Sequence, residues 1–160
     1  SRLINARSET VSEKPSFRSA FRRRRCLVPA DGFFEWKKDE NEKTPYWVHR
    51  EDGEPFGMAG LWESWEPKEG DPLYTFTILT RDATPELQDL HARMPVILPS
   101  PLWDDWLDTN TDPHTIGQIL KTGDAPPLSA FPVSNRVNSP GNDDPSLVKP
   151  GEDSFAPPSF

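Results

Sequence analysis

Two side chains in this 160-residue chain are suited to proton-transfer chemistry: Glu35, within Asp31-Gly32-Phe33-Phe34-Glu35-Trp36, and His91, within His91-Ala92-Arg93-Met94-Pro95. A carboxylate set among aromatic rings loses hydration, and its charged form becomes costlier, which suits it to trading protons near neutral pH. Strand alternation offers a plainer reading, with Glu35 on a solvent face and its neighbours turned inward. A second proton carrier weighs against that reading. His91 is one of three histidines, and it precedes an Arg-Met-Pro segment that a loop could present to a cleft. Trp36 adjoins Glu35 and is the tryptophan to separate from the other five, which are expected mostly in the core.

Other groups carry less. Cys26 follows Arg22 to Arg25, whose charges could favour a thiolate. It also precedes Leu27-Val28 in a strand-like stretch, where cysteine usually serves as a small core hydrophobe. We read it as structural. His49 and His114 have no neighbours at metal-ligand spacing, so no metal site is expected. Gly53, Gly57 and Gly60 are not followed by Lys-Ser/Thr and do not make a phosphate loop. No cofactor is implied.

The elements that must position these groups are short. Pro and Gly number 19 and 9, and mean hydropathy is -0.72, which disfavours a helical bundle. Leu3-Ile4 reads as the end of a strand entering a loop. Ser16 is expected to cap a helix whose Phe17, Ala20 and Phe21 share one face. Strands are expected at 26–28, 33–37, 46–49, 56–62, 74–80 and 94–98, with a hairpin turn at 51–54. Short helices are expected at 84–90, from Ser100-Pro101 with a Leu102, Trp103, Trp106, Leu107 stripe, and from Asp112-Pro113 to Leu120. A last extended segment runs over 128–137. The sum is α+β, a mostly antiparallel, barrel-like β-sheet with short flanking helices. Residues 1–139 are read as one domain and 140–160 as a poorly ordered Pro/Gly/Asp-rich tail.

Charge is unevenly spread. Residues 1–25 hold eight basic side chains against two carboxylates, within a chain of net charge -8. Such a chain is not expected to coat nucleic acid nonspecifically, yet its basic face can grip a few phosphates. No stretch approaches the ~20 apolar residues of a membrane span, and no signal segment opens the chain, so a cytoplasmic protein is expected.

Four ordered stretches carry a resemblance. They are Leu3-Ile4-Asn5-Ala6-Arg7-Ser8-Glu9-Thr10, the run from Arg25 through Asp31-Gly32-Phe33-Phe34-Glu35-Trp36, His91-Ala92-Arg93-Met94-Pro95, and Val137-Asn138-Ser139. Together they resemble the SRAP family, the SOS response-associated peptidases. The resemblance implies a protein of the DNA-damage response that binds abasic sites in single-stranded DNA and cross-links to them, shielding the lesion. It also implies a self-processing peptidase step. In that family the nucleophile is an N-terminal cysteine. Its amine forms a Schiff base with the open-chain aldehyde, and its thiol closes a thiazolidine ring. Residues 1–160 begin at Ser1, and Cys26 has no free amine, so this stretch is expected to hold the supporting site without the nucleophile.

By the same resemblance Asn5 orients the amine and sugar, Glu35 is the general acid/base and His91 shuttles a proton. Arg7 and Arg93 hold phosphates, and Trp36 fills the space of the missing base or stacks on its neighbour. Two other readings stay open: a peptidase acting on other proteins, and a non-catalytic fragment that holds single-stranded nucleic acid. A monomer is expected for the full-length protein. The acid/base reading needs the fold to bring Glu35 and His91 together across 55 intervening residues.

Overall fold

Alternating apolar residues and closely spaced turns give strands rather than long helices, and the computed structural model, which describes residues 3–40, 42–122 and 125–151, contains nine of them in two sheets. The chain divides into two compact units, each built from separate stretches of sequence.

The first unit comprises Ser1–Ala30, Phe56–Asp82 and Arg93–Pro126. Its sheet holds β1 (Asn5–Arg7), β2 (Arg25–Ala30), β5 (Phe56–Trp65), β6 (Leu73–Asp82), β7 (Arg93–Pro95) and β8 (Ile97–Leu98). The order is β1-β6-β5-β2, antiparallel except for the parallel β1–β6 pair, and the sheet curls as a half-barrel. Where β5 and β6 diverge, β7 pairs with β6, the chain reverses at Val96, and β8 pairs with β5. Val96, 1% exposed, ties both strands: its N–H donates to the Leu79 carbonyl and its carbonyl accepts from the Ala59 N–H, each at 2.8 Å.

Three helices belong to this unit: α1 (Pro15–Arg23), α2 (Trp103–Leu107) and α3 (Pro113–Thr122). Helix α1 starts one residue before the expected cap. Lys14 is its N-cap and Pro15, with φ already set for a helix, occupies the first turn. Phe17, Ala20 and Phe21 are buried on one face, as their spacing requires. Helix α2 is preceded by a 3-10 turn at Ser100–Leu102; its Trp106 is fully buried, whereas Leu107 stays exposed and leaves the expected stripe. The Asp112 carboxylate accepts from the His114 and Thr115 N–H groups and caps α3, whose Ile116, Ile119 and Leu120 join the core.

The arginine run has mostly structural duties. Arg25, 6% exposed, donates to the Phe21 and Arg22 carbonyls at the end of α1 and to the Trp106 and Asp108 carbonyls at the end of α2. One planar cation thereby satisfies orphan carbonyls of two helix ends. Arg24 pairs with Glu63 at 2.6 Å, so of the four only Arg22 and Arg23 stand exposed. The Cys26 thiol is pushed up by burial, and with it the thiolate becomes less accessible, in keeping with a packing role.

The second unit comprises Asp31–Pro55, Ala83–Ala92 and Pro127–Phe160. Its sheet is β3 (Gly32–Lys38), β4 (Lys43–Arg50) and β9 (Leu128–Pro132), antiparallel with β4 central. The turn after β4 uses Gly53 at φ 74, the region glycine enters without strain, but it is not the expected hairpin: β4 pairs with β3 and β9, and β5 belongs to the other sheet. The 84–90 stretch does not form a helix. It makes two successive turns, with Thr84 accepting from Leu87 and Gln88 and Leu87 accepting from Leu90 and His91. Burial of Leu87 fixes the segment in this form. Of the expected tail, residues 152–160 lie outside the described residues. Before them Pro145–Val148 form a 3-10 turn with Leu147 buried, and Val133 bridges to Pro150.

Candidate functional site

Strand β3 begins where only glycine fits. A Cβ on Gly32 would lie 2.4 Å from the Trp47 ring and 2.5 Å from the Val48 carbonyl, so the indole of Trp47 packs directly on the Gly32 backbone. The ring then continues a row along the hairpin: Phe34 lies 4.9 Å from Trp47 and 6.5 Å from Trp36, ring centre to ring centre. Trp36 is held at its far end as well, its indole N–H donating to the Asn138 Oδ1 at 2.8 Å. Sequence neighbours and a residue 102 positions away therefore fix the plane of one ring.

Glu35 sits in this stiffened strand with about a quarter of its side chain exposed. Its Oε1 accepts from the Trp36 N–H at 3.0 Å, which anchors one oxygen. The other oxygen, Oε2, lies 3.7 Å from the His91 Nδ1. This separation is an ion-pair contact rather than a hydrogen bond, and catalytic pairs commonly tighten only with substrate present. His91 is delivered by the turn segment, whose base is closed by the Ala83 N–H donating to the Ala92 carbonyl at 3.0 Å. Burial of Leu87 against the same unit holds that segment down. Glu35, Trp36 and His91 line one cavity of about 410 Å³ with Lys38, Lys43 and Asn138. A carboxylate with one free oxygen beside an imidazole can pass a proton in either direction.

The other three expected site residues belong to the first unit. Asn5 and Arg7 are exposed on β1, on either side of the buried Ala6, so both side chains leave the sheet on its solvent side. Arg93 on β7 is different: only 16% of its side chain is exposed. It forks onto Glu9 at 2.7 and 2.9 Å, meets Asp82 at 2.6 Å and donates to the Thr80 carbonyl at 2.7 Å. The Arg93 guanidinium holds the Glu9 carboxyl below the usual carboxylate range, with Arg7 contributing in the same direction. Thr80 pairs with Arg7 on one side and with Pro95 on the other, so β6 gathers the β1 and β7 residues into one neighbourhood.

Sequence reasoning missed three of the cavity's residues. Asn138 lies inside a motif that the resemblance uses, but its contact with Trp36 spans the fold and no local pattern announces it. Lys38 and Lys43 lie outside the strands expected at 33–37 and 46–49, and the longer hairpin register sets them opposite each other. A register of β3 against β4, traced outward from the turn, was the signal that could have found them.

Among the described residues no helix is long and apolar enough to cross a membrane. The profile of the SOS response associated peptidase (SRAP) family matches residues 1–140. The abasic site processing protein YoqW of Bacillus subtilis is 45% identical over 150 residues, covering 92% of this chain and 67% of that protein. The abasic site processing protein YedK of Escherichia coli is 33% identical over 150 residues, with the same coverage of both chains. A crystal structure of a protein from Bacteroides thetaiotaomicron superposes with a TM-score of 0.81 at 35% identity, covering 92% of this chain and 65% of that one. The chain thus spans about two thirds of the length of these relatives. With the family profile covering most of the chain and these identities over nearly all of it, the chain belongs to the SRAP family.

Proposed function

We propose that this chain forms part of an abasic-site processing protein that binds single-stranded DNA at abasic lesions. The observation that carries this reading is the approach of His91 Nδ1 to Glu35 Oε2, 3.7 Å apart, in a cavity walled by Trp36. Relatives named as abasic site processing proteins supply the substrate class.

An abasic site equilibrates between a closed sugar and an open aldehyde. Opening the sugar takes a proton from the ring-side hydroxyl and gives one to the ring oxygen. Attack by an amine on the aldehyde then needs protons moved off nitrogen and onto the departing hydroxyl, which leaves as water when the imine forms. Glu35 is the general acid/base for these transfers and His91 carries the proton between the carboxylate and the reacting atoms. Trp36, fixed by Asn138 and by Phe34, offers a flat face to the gap left by the missing base or to the neighbouring base. In the first unit Asn5 orients the amine and sugar, and Arg7 and Arg93 contact phosphates. Because Arg93 already donates to Glu9, Asp82 and the Thr80 carbonyl, it reaches a phosphate by exchanging one of its carboxylate contacts for it.

The attacking group in this reading is an N-terminal cysteine, whose amine forms the imine and whose thiol closes the thiazolidine. Residues 1–160 do not contain it: Cys26 is internal, and its nitrogen is a peptide amide. The test is to incubate the full-length protein with single-stranded DNA carrying one abasic site and to resolve the products on a denaturing gel. A heat-stable adduct that forms with abasic DNA and not with intact DNA is expected. Its absence overturns the cross-linking reading, and cleavage of an unrelated protein substrate in its place favours the peptidase.

A further inference from the structure

We propose that Lys38 and Lys43 form a phosphate subsite in the Glu35–His91 cavity, holding a backbone phosphodiester of the single strand beside the lesion. This inference rests on the functional reading above and names a contact which that reading does not contain.

The first observation is register. Lys38, the last residue of β3, is the direct partner of Lys43, the first residue of β4. Directly opposed side chains in an antiparallel pair have their Cβ atoms about 5 Å apart, and like charges there destabilise the hairpin. Both lysines are exposed, and among the described residues neither forms an ion pair with a carboxylate. The hairpin is closed beyond them by the Asp39 N–H donating to the Glu42 carbonyl at 3.0 Å. Glu42, the carboxylate next to Lys43 in sequence, lines a different groove with Thr44 and Arg136.

The second observation is location. The two lysines line the same cavity of about 410 Å³ as Glu35, Trp36, His91 and Asn138. Lys37, between Trp36 and Lys38, lines a separate cleft with Tyr46 and Leu87. Two ammonium groups in a chain of net charge -8 thus accompany the proton-transfer pair. An anion between opposed ammonium groups turns their repulsion into two attractions, and a strand laid across the cavity brings one phosphate per nucleotide. Lysine suits this duty because it meets a phosphate as a point charge without demanding a fixed plane.

The test uses the full-length protein, a fluorescent single-stranded oligonucleotide in abasic and intact forms, and equilibrium binding over a range of chloride concentrations. Lys38→Gln/Lys43→Gln is expected to weaken binding to the abasic strand about fivefold or more, and to lower the slope of log affinity against log salt by about 1. Lys68→Gln, which removes one exposed charge from the first unit, is the control and is expected to leave both quantities at wild-type values. Lys38→Glu sets opposite charges across the hairpin, so its Tm is expected to equal or exceed wild type while its affinity falls. Loss of binding is then not loss of folding. Unchanged affinity and slope in the double variant overturn the subsite, as does an equal loss in the Lys68 control. Replacing chloride by inorganic phosphate at matched ionic strength is expected to weaken strand binding by the wild type more than by the double variant, because free phosphate competes for the lysine pair; an equal effect on both overturns the subsite. If the wild type binds abasic and intact strands equally, with the lysine dependence retained, the lesion reading fails and the subsite stands. If it binds neither, both fall.

Discussion

Two of the carboxylate–cation pairs in this chain, one from each unit, differ in every feature of their geometry. In the first, Glu9 receives a two-pronged grip from Arg93, which also engages Asp82 and Thr80. The charge on Glu9 is stabilised and its proton is lost at lower pH than an ordinary carboxylate's. In the second, Glu35 spends one oxygen on a backbone N–H and leaves the other 3.7 Å from a histidine. Arginine keeps its charge throughout the accessible pH range, whereas histidine changes charge near neutrality. A pair meant to hold is short, forked and permanently charged. The longer contact, with one carboxylate oxygen left without a hydrogen bond, is the geometry that the proposed proton transfer needs.

The comparison is broken most directly at Glu35. Glu35→Gln keeps the shape and the contact with the Trp36 N–H but cannot take up a proton, and it is expected to slow adduct formation on abasic DNA by about 10²–10⁴-fold. Its Tm should stay within a few degrees of wild type, which a melting curve on the same sample checks. A rate within threefold of wild type would remove Glu35 from the mechanism.

His91→Gln comes next. Losing the proton carrier is expected to cost about 10–10²-fold in the rate of adduct formation. A rate within threefold of wild type would remove His91 from the mechanism.

Smaller again is the effect of the ring lock. Trp36→Phe retains an aromatic face but loses the N–H that reaches Asn138, and a reduction of about threefold to tenfold in affinity for abasic strands is expected. Asn138→Ala should reproduce most of that loss without touching the ring. A normal affinity in Asn138→Ala would show that the hydrogen bond does not position Trp36.

Glu9→Gln probes the holding pair and gives the smallest change. Because the folded chain depresses the Glu9 pKa, this carboxylate adds stability above its unfolded value of about 4.5, and that stability is lost as pH falls through the lower folded value. With nearly half of the Glu9 side chain exposed, solvent screening limits the contribution to about 0.5–1 kcal/mol. Wild type and Glu9→Gln should therefore differ in denaturant midpoint at pH 7 and converge toward pH 3. A gap that grows on acidification would reverse the assignment.

Much of the fold was legible because its signals are local. The 3.6-residue spacing of Phe17, Ala20 and Phe21 gave α1, Asp112-Pro113 gave the start of α3, and the β-branched and aromatic run at 74–80 gave β6. The errors share a cause. The 84–90 segment carries a helix-start pattern, yet it closes as successive turns with Leu87 buried, and tertiary burial decided its conformation. Leu107 fits an apolar stripe by spacing, but α2 ends at that residue and it stays in solvent. Within the four-arginine run Arg25 turns inward because two helix ends there need donors, which no local pattern announces.

By itself the sequence determined the residue types that can do chemistry here, the α+β class and the order of its elements, since period, turn chemistry and composition act over a few residues. What only tertiary structure decided is which of those residues meet. The 3.7 Å between Glu35 and His91, the bond from Trp36 to Asn138 and the opposition of Lys38 to Lys43 depend on strand register and loop closure across the fold. Register is set by how whole strands bury their apolar faces, a condition summed over many residues that no single position records.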